Sequence, residues 1–232
     1  MHSFNRMALI SYIIPCYNEE ACIEGTLDSI EIQNPESEII VVDGGSSDET
    51  RSIVKKHRSC RLLASDPGRG KQMNLGAAFA SGDFLCFLHA DTRLPPLAAE
   101  SIFEILRKPF RVAGSYRLGF DKQSKLLSFY ARCSYFNTTL CTYGDQGLFL
   151  RTKTFESLGG FKDYPFLEDV EIQQRLRRQG IFEKSNLSVT TSARRFESRG
   201  VLRQQILNTF IVSAFLCGVS PFALKKLYPD NR

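Results

Sequence analysis

Up to residue 91, the chain alternates short apolar runs with longer runs of helical spacing. The apolar runs are Leu9 to Ile14, Glu38 to Asp43, Arg61 to Ala64 and Phe84 to Leu88. The helical runs between them are Glu20 to Ile32, Asp48 to Arg58 and Lys71 to Ala80. Two parallel strands need a crossover between them, usually a helix, so this alternation is typical of parallel sheets. The pattern predicts an α/β fold with a mostly parallel sheet flanked by helices.

The second half of the chain is less regular. Arg111 to Leu118 and Gly147 to Arg151 have the character of strands, and Ser124 to Leu140 has the spacing of a long helix. A further strand is expected around Leu187 to Thr191, followed by C-terminal helices. No internal repeat, linker or change of composition divides the sequence, so we expect one domain over residues 1–232. Its expected divisions are a first half at 1–110, a second half at 111–198 and a helical extension at 199–232.

Cysteine usage and charge narrow the functional classes. The seven cysteines are scattered without a C-x-x-C pair, and there is no secretory h-region. We therefore expect reduced thiols in a cytoplasmic protein and no zinc site. The net charge is +5, but no run of five like charges is present, so the sequence does not favour a nucleic-acid partner.

The longest apolar stretch, Phe210 to Val219, is about half the length of roughly 20 residues that a membrane span requires. It continues a helical pattern that covers residues 201–219. Two interpretations stay open: the helix packs on the core or on a second copy of the chain, or it lies in the plane of a membrane surface as a peripheral contact. Basic residues that would assist the membrane contact are Arg199, Arg203, Lys225 and Lys226.

Polar residues follow the predicted strands of the first half. They are Tyr17 and Asn18, Asp43, Asp66 to Arg69, and Asp91. In open parallel sheets ligands bind beyond the carboxyl ends of the strands. Because four strand ends carry such groups, we expect them to converge on one crevice that binds a ligand.

Asp43 ends an apolar strand and precedes Gly44 and Gly45, which allow a ligand to approach the backbone closely. An acid in that position can accept hydrogen bonds from a nucleobase imide or a ribose hydroxyl. The competing interpretation is a turn in which Ser46 or Ser47 caps the next helix. Both interpretations can hold together because the cap does not need Asp43.

The segment Gly68 to Asn74 is a basic, glycine-containing loop that opens a helix. Arg69, Lys71 and the free N–H groups of the helix N-terminus suit a pyrophosphate. The spacing is not that of a P-loop. A solvated surface turn is the alternative for this loop.

Two other acidic residues stand in turns. Asp91 follows a buried strand, and one carboxylate together with phosphate oxygens is a usual way to hold Mg²⁺ or Mn²⁺. The alternative for Asp91 is a structural role in the strand-to-helix turn, and His89 is interpreted as a packing residue. Asp145 lies in the turn from Tyr143 to Gly147, for which an ordinary turn is the favoured reading.

Glu168 and Asp169 lie just after Pro165, at the start of an amphipathic helical run. A carboxylate there is held ionised by the helix dipole and by free N–H groups, which suits a general base. The alternative is that the two acids only cap the helix.

The ordered set of motifs resembles the family 2 glycosyltransferases, which have the GT-A fold. The matching pieces lie between about residues 8 and 180. They are Ile13 to Glu20, Val41 to Asp48, Gly70-Lys71 with Asn74, Ala90-Asp91, Gly159-Gly160-Phe161 and Glu168-Asp169. The set in this order is far more specific than any one of its members.

The resemblance implies a role for each matched residue. The first half would bind a nucleotide sugar and the second half the acceptor. Residues implied in donor binding are Pro15, Tyr17 and Asp43 at the nucleoside, with Arg69 and Lys71 near the base or diphosphate. Asp91 would bind the divalent metal, Mn²⁺ or Mg²⁺, and Asp169 would be the catalytic base. Glu168, Asp145 and Arg195 are acceptor-side or supporting candidates.

Residues 89 to 91 depart from the family pattern because His-Ala-Asp keeps only the last acid of the D-x-D motif. The Gln-x-x-Arg-Trp motif of processive members is missing, and only Arg194-Arg195-Phe196 resembles its Arg-Trp end. A processive polysaccharide synthase is therefore not expected. The turn at Gly144 to Gln146 and the tail at Gly218 to Pro221 resemble a small, single-domain bacterial subgroup, some of whose members are associated with arsenosugar biosynthesis.

The expected function is inverting, metal-dependent transfer of a sugar from a nucleotide-diphosphate sugar to an acceptor hydroxyl. UDP is the guessed nucleotide, and the sequence specifies neither the sugar nor the acceptor. The alternatives are a sugar-phosphate nucleotidyltransferase and a non-catalytic nucleotide-sugar-binding module. The first places a Gly-rich basic loop after its first strand, where this chain has Cys16 to Glu20, which is acidic and lacks glycine.

Overall fold

The computed structural model describes residues 9–33, 37–194 and 200–227. Within these ranges eight strands form one sheet in the order β3-β2-β1-β4-β7-β6-β8-β5. The strands are β1 (Ile10–Cys16), β2 (Glu38–Asp43), β3 (Cys60–Ala64), β4 (Phe84–Phe87), β5 (Thr92–Arg93), β6 (Arg111–Phe120), β7 (Leu148–Arg151) and β8 (Ile181–Thr191).

Helices cover both faces of this sheet. They are α1 (Ile23–Glu31), α2 (Thr50–Lys56), α3 (Arg69–Ala78), α4 (Ala98–Arg107), α5 (Lys125–Cys133), α6 (Thr152–Ser157), α7 (Glu168–Gln179), α8 (Val201–Leu216) and α9 (Pro221–Lys225). Two short 3₁₀ turns lie at Thr139–Cys141 and Gly144–Gln146.

The first four strands of the sheet pair in parallel, as the alternating pattern predicts. β1 is buried along its whole length, which is usual for a central strand covered on both faces. Pro15 remains inside β1 because the pairing with β4 ends at Ile13, before the residue that lacks an N–H group. Cys16 lies opposite Asp43, so β1 and β2 end together.

The second half of the chain completes the same sheet. β7 runs antiparallel between β4 and β6, and β8 runs parallel to β6. The short β5 pairs with the far end of β8, so a strand from the first half lies at the outer edge of the second. The expected α/β fold is confirmed, and four of the seven strand pairings in its sheet are parallel.

Alternate residues of each central strand pack into different cores, as the two-residue period of a strand requires. Tyr12 and Ile14 point into a cluster with α1 and α4, whereas Ile13 packs with α3, α6 and α7 on the other face. A third cluster joins Leu167 and Val170 to the C-terminal helices.

One local expectation is wrong, and one helix was not predicted. The helix predicted over Ser124 to Leu140 ends at Cys133, because the Ser134 hydroxyl accepts a hydrogen bond from the Leu118 N–H group (2.8 Å) and thereby ties the chain to β6. Helix α4 had no sequence-based prediction, although it follows Pro95 and Pro96 and buries Ile102 and Leu106.

Candidate functional site

A cleft of about 940 Å³ opens beyond the ends of β1 and β4 and between the N-termini of α3 and α7. Residues singled out by the sequence that line it are Tyr17, Arg69, Lys71, Asp91, Asp145, Glu168 and Asp169. Pro15 and Asp43 are not among the described residues of its wall. Arg195 lies outside the described residues.

The start of α7 sets the geometry of the two neighbouring acids. Leu167 precedes the helix in a left-handed conformation (φ 65°), and Glu168 and Asp169 are the first two helical residues. Leu167 is held there by apolar packing against Val170, Ile211 and other residues of the third cluster. The capping interpretation is therefore wrong, since neither acid is in the capping position.

Glu168 is buried and forms an ion pair with Arg69. The Arg69 guanidinium also contacts the His89 ring, with 3.2 Å between Nη1 and Nε2. Burial alone would lower the pKa of Arg69, but the nearby carboxylates of Glu168 and Asp169 raise it above its ordinary value. The result is a fixed positive charge beside the two acids.

Asp169 is partly buried and accepts two backbone hydrogen bonds. Its Oδ2 accepts from the Gly144 N–H group at 2.6 Å, and its Oδ1 accepts from the Val170 N–H group at 2.9 Å. Burial raises the pKa of Asp169 above the ordinary value for an aspartate, and the charge of Glu168 adds to the rise. Arg69 and the two N–H groups lower the pKa of Asp169 by less. The sequence predicted that the helix N-terminus holds this carboxylate ionised, and burial opposes that effect.

The hydrogen bond between Gly144 and Asp169 brings the two residues so close that position 144 leaves little room for a side chain. A Cβ atom built on Gly144 would lie 2.9 Å from the His89 Nε2 atom and 3.1 Å from the Asp169 Oδ2 atom. The sequence pointed to Asp145 in this turn and interpreted His89 as a packing residue, so both Gly144 and His89 were missed as parts of the site. The signal in the sequence that could have identified Gly144 was its place next to an acidic turn residue, Asp145.

Lys184 is hydrogen-bonded to the turn that contains Gly144. The sequence motifs did not identify it either. Its Nζ donates to the Gln146 side chain at 2.5 Å, and Gln146 in turn donates to the Cys141 carbonyl at 2.9 Å. Burial, together with a smaller effect from the charge of Arg177, lowers the pKa of Lys184 to about 7. No motif predicts this residue, because β8 brings it to the turn only in the folded chain.

The loops on the other side of the cleft are joined to one another. The Asn18 side chain accepts from the Ser47 N–H group at 2.9 Å, which ties the loop after β1 to the loop after β2. Gln72 of α3 donates to the carbonyls of Cys16 (2.9 Å) and Val42 (2.8 Å). Lys71, about half exposed, pairs with Asp163 across the cleft at 3.5 Å.

Asp43 is buried within its own turn. Its carboxylate accepts from the N–H groups of Gly45 and Ser46 at 3.2 Å and lies 3.7 Å from the Arg51 side chain. These contacts hold the turn in place, but neither Ser46 nor Ser47 caps α2, because the residue in the capping position is Glu49, so the capping interpretation is wrong. Burial raises the pKa of the neighbouring Cys16 thiol, and the charge of Asp43 raises it further.

Asp91 lies in the wall of the cleft and is 8% exposed. Its backbone carbonyl accepts from the Ser192 N–H group at 3.0 Å, which fixes the turn after β4 against the end of β8. A carboxylate oxygen is the ligand type that Mg²⁺ and Mn²⁺ prefer, and these ions are often held by one or two carboxylates plus substrate phosphates. Asp91 fits that mode of binding.

A separate group of potential metal ligands lies elsewhere. Among the described residues, one set of three such side chains has its ligand atoms within 4.8 Å, and it consists of Asp28, Glu31 and His57. His57 and Glu31 already pair at 3.2 Å. Asp28 and Glu31 lie on α1 and His57 follows α2, and none of them is among the residues that line the cleft, so this group is not the metal site that the sequence predicts.

Residues 11–161 match the family model described as Glycosyl transferase family 2. The chain belongs to this family. The resemblance inferred from the ordered motifs is confirmed.

Among curated relatives, the poly-beta-1,6-N-acetyl-D-glucosamine synthase of Staphylococcus epidermidis is 33% identical over 121 residues, which cover 45% of this chain and 29% of that protein. The chain spans less than half the length of the curated relatives it matches. Their complete activities therefore belong to larger proteins.

Solved structures share the fold. TarS of S. aureus in complex with UDP-GlcNAc matches with a TM-score of 0.62 at 20% identity, over 79% of this chain and 58% of that one. The mannosyltransferase PcManGT of Pyrobaculum calidifontis, in complex with GDP-Man and Mn²⁺, matches with a TM-score of 0.67 at 21% identity, over 92% and 66%. The expected GT-A fold is confirmed. In the described part of the chain, no helix has the length and apolar character needed to cross a bilayer.

Proposed function

We propose that this protein transfers a sugar from a nucleotide-diphosphate sugar to an acceptor hydroxyl, with inversion at the anomeric carbon. Asp169 takes the proton from the hydroxyl while its oxygen bonds to the anomeric carbon from the side opposite the diphosphate. The bond to the diphosphate breaks, and the nucleoside diphosphate leaves. The observation that carries this assignment is the Asp169 carboxylate, fixed in the cleft wall with a raised pKa.

Two features of Asp169 suit a general base. A carboxylate has about four acceptor positions, so the two N–H groups leave capacity for an acceptor hydroxyl. A raised pKa brings the carboxylate closer to the basicity that efficient proton removal requires near neutral pH. Glu168, in contrast, is engaged by Arg69 and is assigned a supporting role.

The opposite wall suits the leaving diphosphate. Lys71 is about half exposed there, and the N-terminus of α3 offers backbone N–H groups. Asp91 is the residue that would hold Mn²⁺ or Mg²⁺, and such an ion supplies positive charge to a diphosphate. Tyr17 lines the cleft, and together with Pro15 and Asp43 it is assigned to the proposed nucleoside end.

Comparison with relatives supports the donor class but leaves its nucleotide open. The TarS structures contain UDP-GlcNAc or UDP, whereas PcManGT contains GDP-Man with Mn²⁺. We propose a nucleotide-diphosphate sugar, with UDP as the first nucleotide to test. The acceptor, a cytoplasmic location and a contact of residues 201–219 with a membrane or a second copy stay predictions.

The test is donor hydrolysis, in which water replaces the unknown acceptor. For Asp169→Asn we expect release of nucleoside diphosphate to fall by about 10²–10⁴-fold, because general-base catalysis typically contributes that much. Thermal stabilisation by UDP with Mn²⁺ should persist, since donor binding does not need the base. Asp91→Ala should instead lose the Mn²⁺-dependent part of that stabilisation.

The matched control is Glu24→Gln, which neutralises an exposed acid on α1 and should leave both readouts unchanged. Normal turnover in Asp169→Asn would remove the base assignment. Pyrophosphate release from a nucleoside triphosphate and a sugar phosphate would favour the nucleotidyltransferase alternative. Nucleotide binding without any turnover in the unmodified protein would favour a binding module.

A further inference from the structure

Large exposed apolar side chains concentrate on one group of elements: α5, the 3₁₀ turn that follows it, α8 and α9. Examples are Leu126 (50%) and Phe129 (68%) on α5, Phe136 (66%) between α5 and the 3₁₀ turn, Ile206 (63%) and Phe210 (57%) on α8, and Phe222 (60%) on α9. Helix α8 contacts α5, the 3₁₀ turn and α9, so these elements are neighbours. We call their exposed apolar side chains the C-terminal apolar surface.

The side chains of this surface are additional to the ones that its helices bury in the protein. Helix α5 already buries Leu127 and Tyr130, and α8 already buries Ile211 and Val212. The exposed side chains therefore form a second apolar face on helices whose first face is packed. Single exposed apolar residues are normal, but a group of them on adjacent elements indicates a contact with something outside the chain.

The charge of the same elements identifies the partner. Residues 122–142 and 200–227 contain no Asp or Glu. They contain six basic residues, Lys122, Lys125, Arg132, Arg203, Lys225 and Lys226. Two copies of this surface would repel each other, whereas a negatively charged lipid surface would attract it. Apolar side chains surrounded by Lys and Arg are the pattern of segments that lie in a membrane interface.

We propose that the C-terminal apolar surface docks on an anionic lipid bilayer, with its aromatic and aliphatic side chains inserted at the headgroup boundary. The sequence pattern pointed only to residues 201–219, and the structure adds α5, the 3₁₀ turn and α9. Tyr130, Gln204, Phe222 and Lys225 of these elements also line the cleft. If the proposed function holds, on which this last step rests, docking brings the acceptor end of the cleft to the lipid surface, and the acceptor is a membrane amphiphile.

The test is co-sedimentation of the full chain with phosphatidylcholine vesicles, with and without phosphatidylglycerol. We expect binding only to the anionic vesicles and weaker binding as salt is raised, because surface charges are screened. The double variant Ile206→Ser with Phe210→Ser should lower the partition coefficient by about tenfold or more, since each lost side chain would otherwise be inserted. Arg203→Gln with Lys226→Gln should also lower binding to the anionic vesicles, and the remaining binding should depend less on salt.

Matched controls are Ile32→Ser and Phe110→Asn, which remove apolar side chains that are 81% exposed and lie outside this surface. Both should bind vesicles as the unmodified protein does. Far-UV circular dichroism and the melting temperature show whether each variant is folded. No binding to anionic vesicles, or equal binding by the Ile206 and Phe210 variant, would overturn the proposal.

Self-association through the C-terminal apolar surface would also overturn the proposal of membrane docking. A dimer detected by light scattering without lipid, and lost in the double variant, would assign the surface to a second copy of the chain. Vesicle binding needs no sugar donor, so its outcome is independent of the donor-hydrolysis test. A protein that binds vesicles but hydrolyses no donor would refute only the proposed function.

Discussion

At the scale of single residues, neighbouring carboxylates have different environments. Glu168 is buried against the Arg69 guanidinium, while Asp169 accepts two backbone N–H groups and has a raised pKa. Adjacent acids that differ in this way can serve different roles, one fixing charge and the other exchanging a proton. The pair is therefore a sensitive place to test the chemistry of the site.

Neutralising Glu168 should change the pH dependence of catalysis. The negative charge of Glu168 raises the pKa of Asp169, so Glu168→Gln should lower that pKa. In the unmodified protein, donor hydrolysis falls as the pH drops through the pKa of Asp169, because the base becomes protonated. In Glu168→Gln this acidic limb should lie at lower pH in a kcat profile. The control is Glu156→Gln, an exposed acid on α6, and an acidic limb that moves upward would contradict the assignment.

Lys184 should make stability depend on pH. Burial lowers its pKa from 10.5 to about 7, so between these values the unfolded chain binds a proton that the folded chain lacks. Its contribution to the free energy of unfolding therefore rises as the pH increases from about 7 towards 10. Denaturant unfolding at pH 7 and pH 9 should reveal this rise as a difference between the unmodified protein and Lys184→Met. Lys55→Met, at an exposed lysine, should behave as the unmodified protein does; an equal slope in Lys184→Met would contradict the prediction.

At the scale of elements, one side chain of α3 holds the loop that leads to α7. Asn74 donates to the Phe161 carbonyl at 2.8 Å and accepts from the Phe161 N–H group at 2.9 Å. The preceding Gly160 has φ of 72°, and a Cβ atom there would lie 2.6 Å from the Asn74 oxygen. The Gly-Gly-Phe motif thus has a structural explanation: it lets the backbone close onto Asn74.

Variants of Asn74 should lose stability in steps. Asn74→Asp keeps the acceptor for the Phe161 N–H group but loses the donor, whereas Asn74→Ala loses both. Each buried group left without a partner costs about 1–3 kcal/mol, so the free energy of unfolding should fall in the order Asn, Asp, Ala. Urea unfolding measures the series. Asn186→Ala, at an exposed asparagine, should change stability by no more than about 0.5 kcal/mol, and an equal loss at both positions would contradict the explanation.

The difference between local sequence signals and contacts between distant residues explains which features the sequence predicts well. The bounds of β2 match the expectation because a strand of β-branched residues before an acid and two glycines is a local signal. The early end of α5 depends on the bond between Ser134 and Leu118, which no local pattern contains. The cleft position of Asp169 follows from a helix-start signal, but its hydrogen bond from Gly144 and its electrostatic interaction with Arg69 join residues 25 and 100 positions apart in the chain. Contacts of that kind arise only from the fold.

At the scale of the whole molecule, the two halves of the chain share one sheet and two cores. β7 of the second half lies between β4 and β6, and β5 of the first half closes the far edge beside β8. Ile14 and Tyr116 belong to one core, and Ile13 and Phe182 belong to the other. The division of the chain at residue 110 therefore describes the order of the elements, since both of these cores take residues from either side of it.

We accordingly expect one cooperative unfolding transition. Far-UV circular dichroism and tyrosine fluorescence, available because the chain has eight Tyr and no Trp, should give coincident urea curves. A fragment of residues 1–110 should show no sigmoidal transition, because it leaves the edge of β4 unpaired and exposes Leu85 and Phe87. UDP with Mn²⁺ should shift both curves of the full chain by the same amount, since ligand binding stabilises the whole cooperative unit. Two separated transitions, or a fragment that unfolds cooperatively, would mean that the halves fold independently despite the shared sheet.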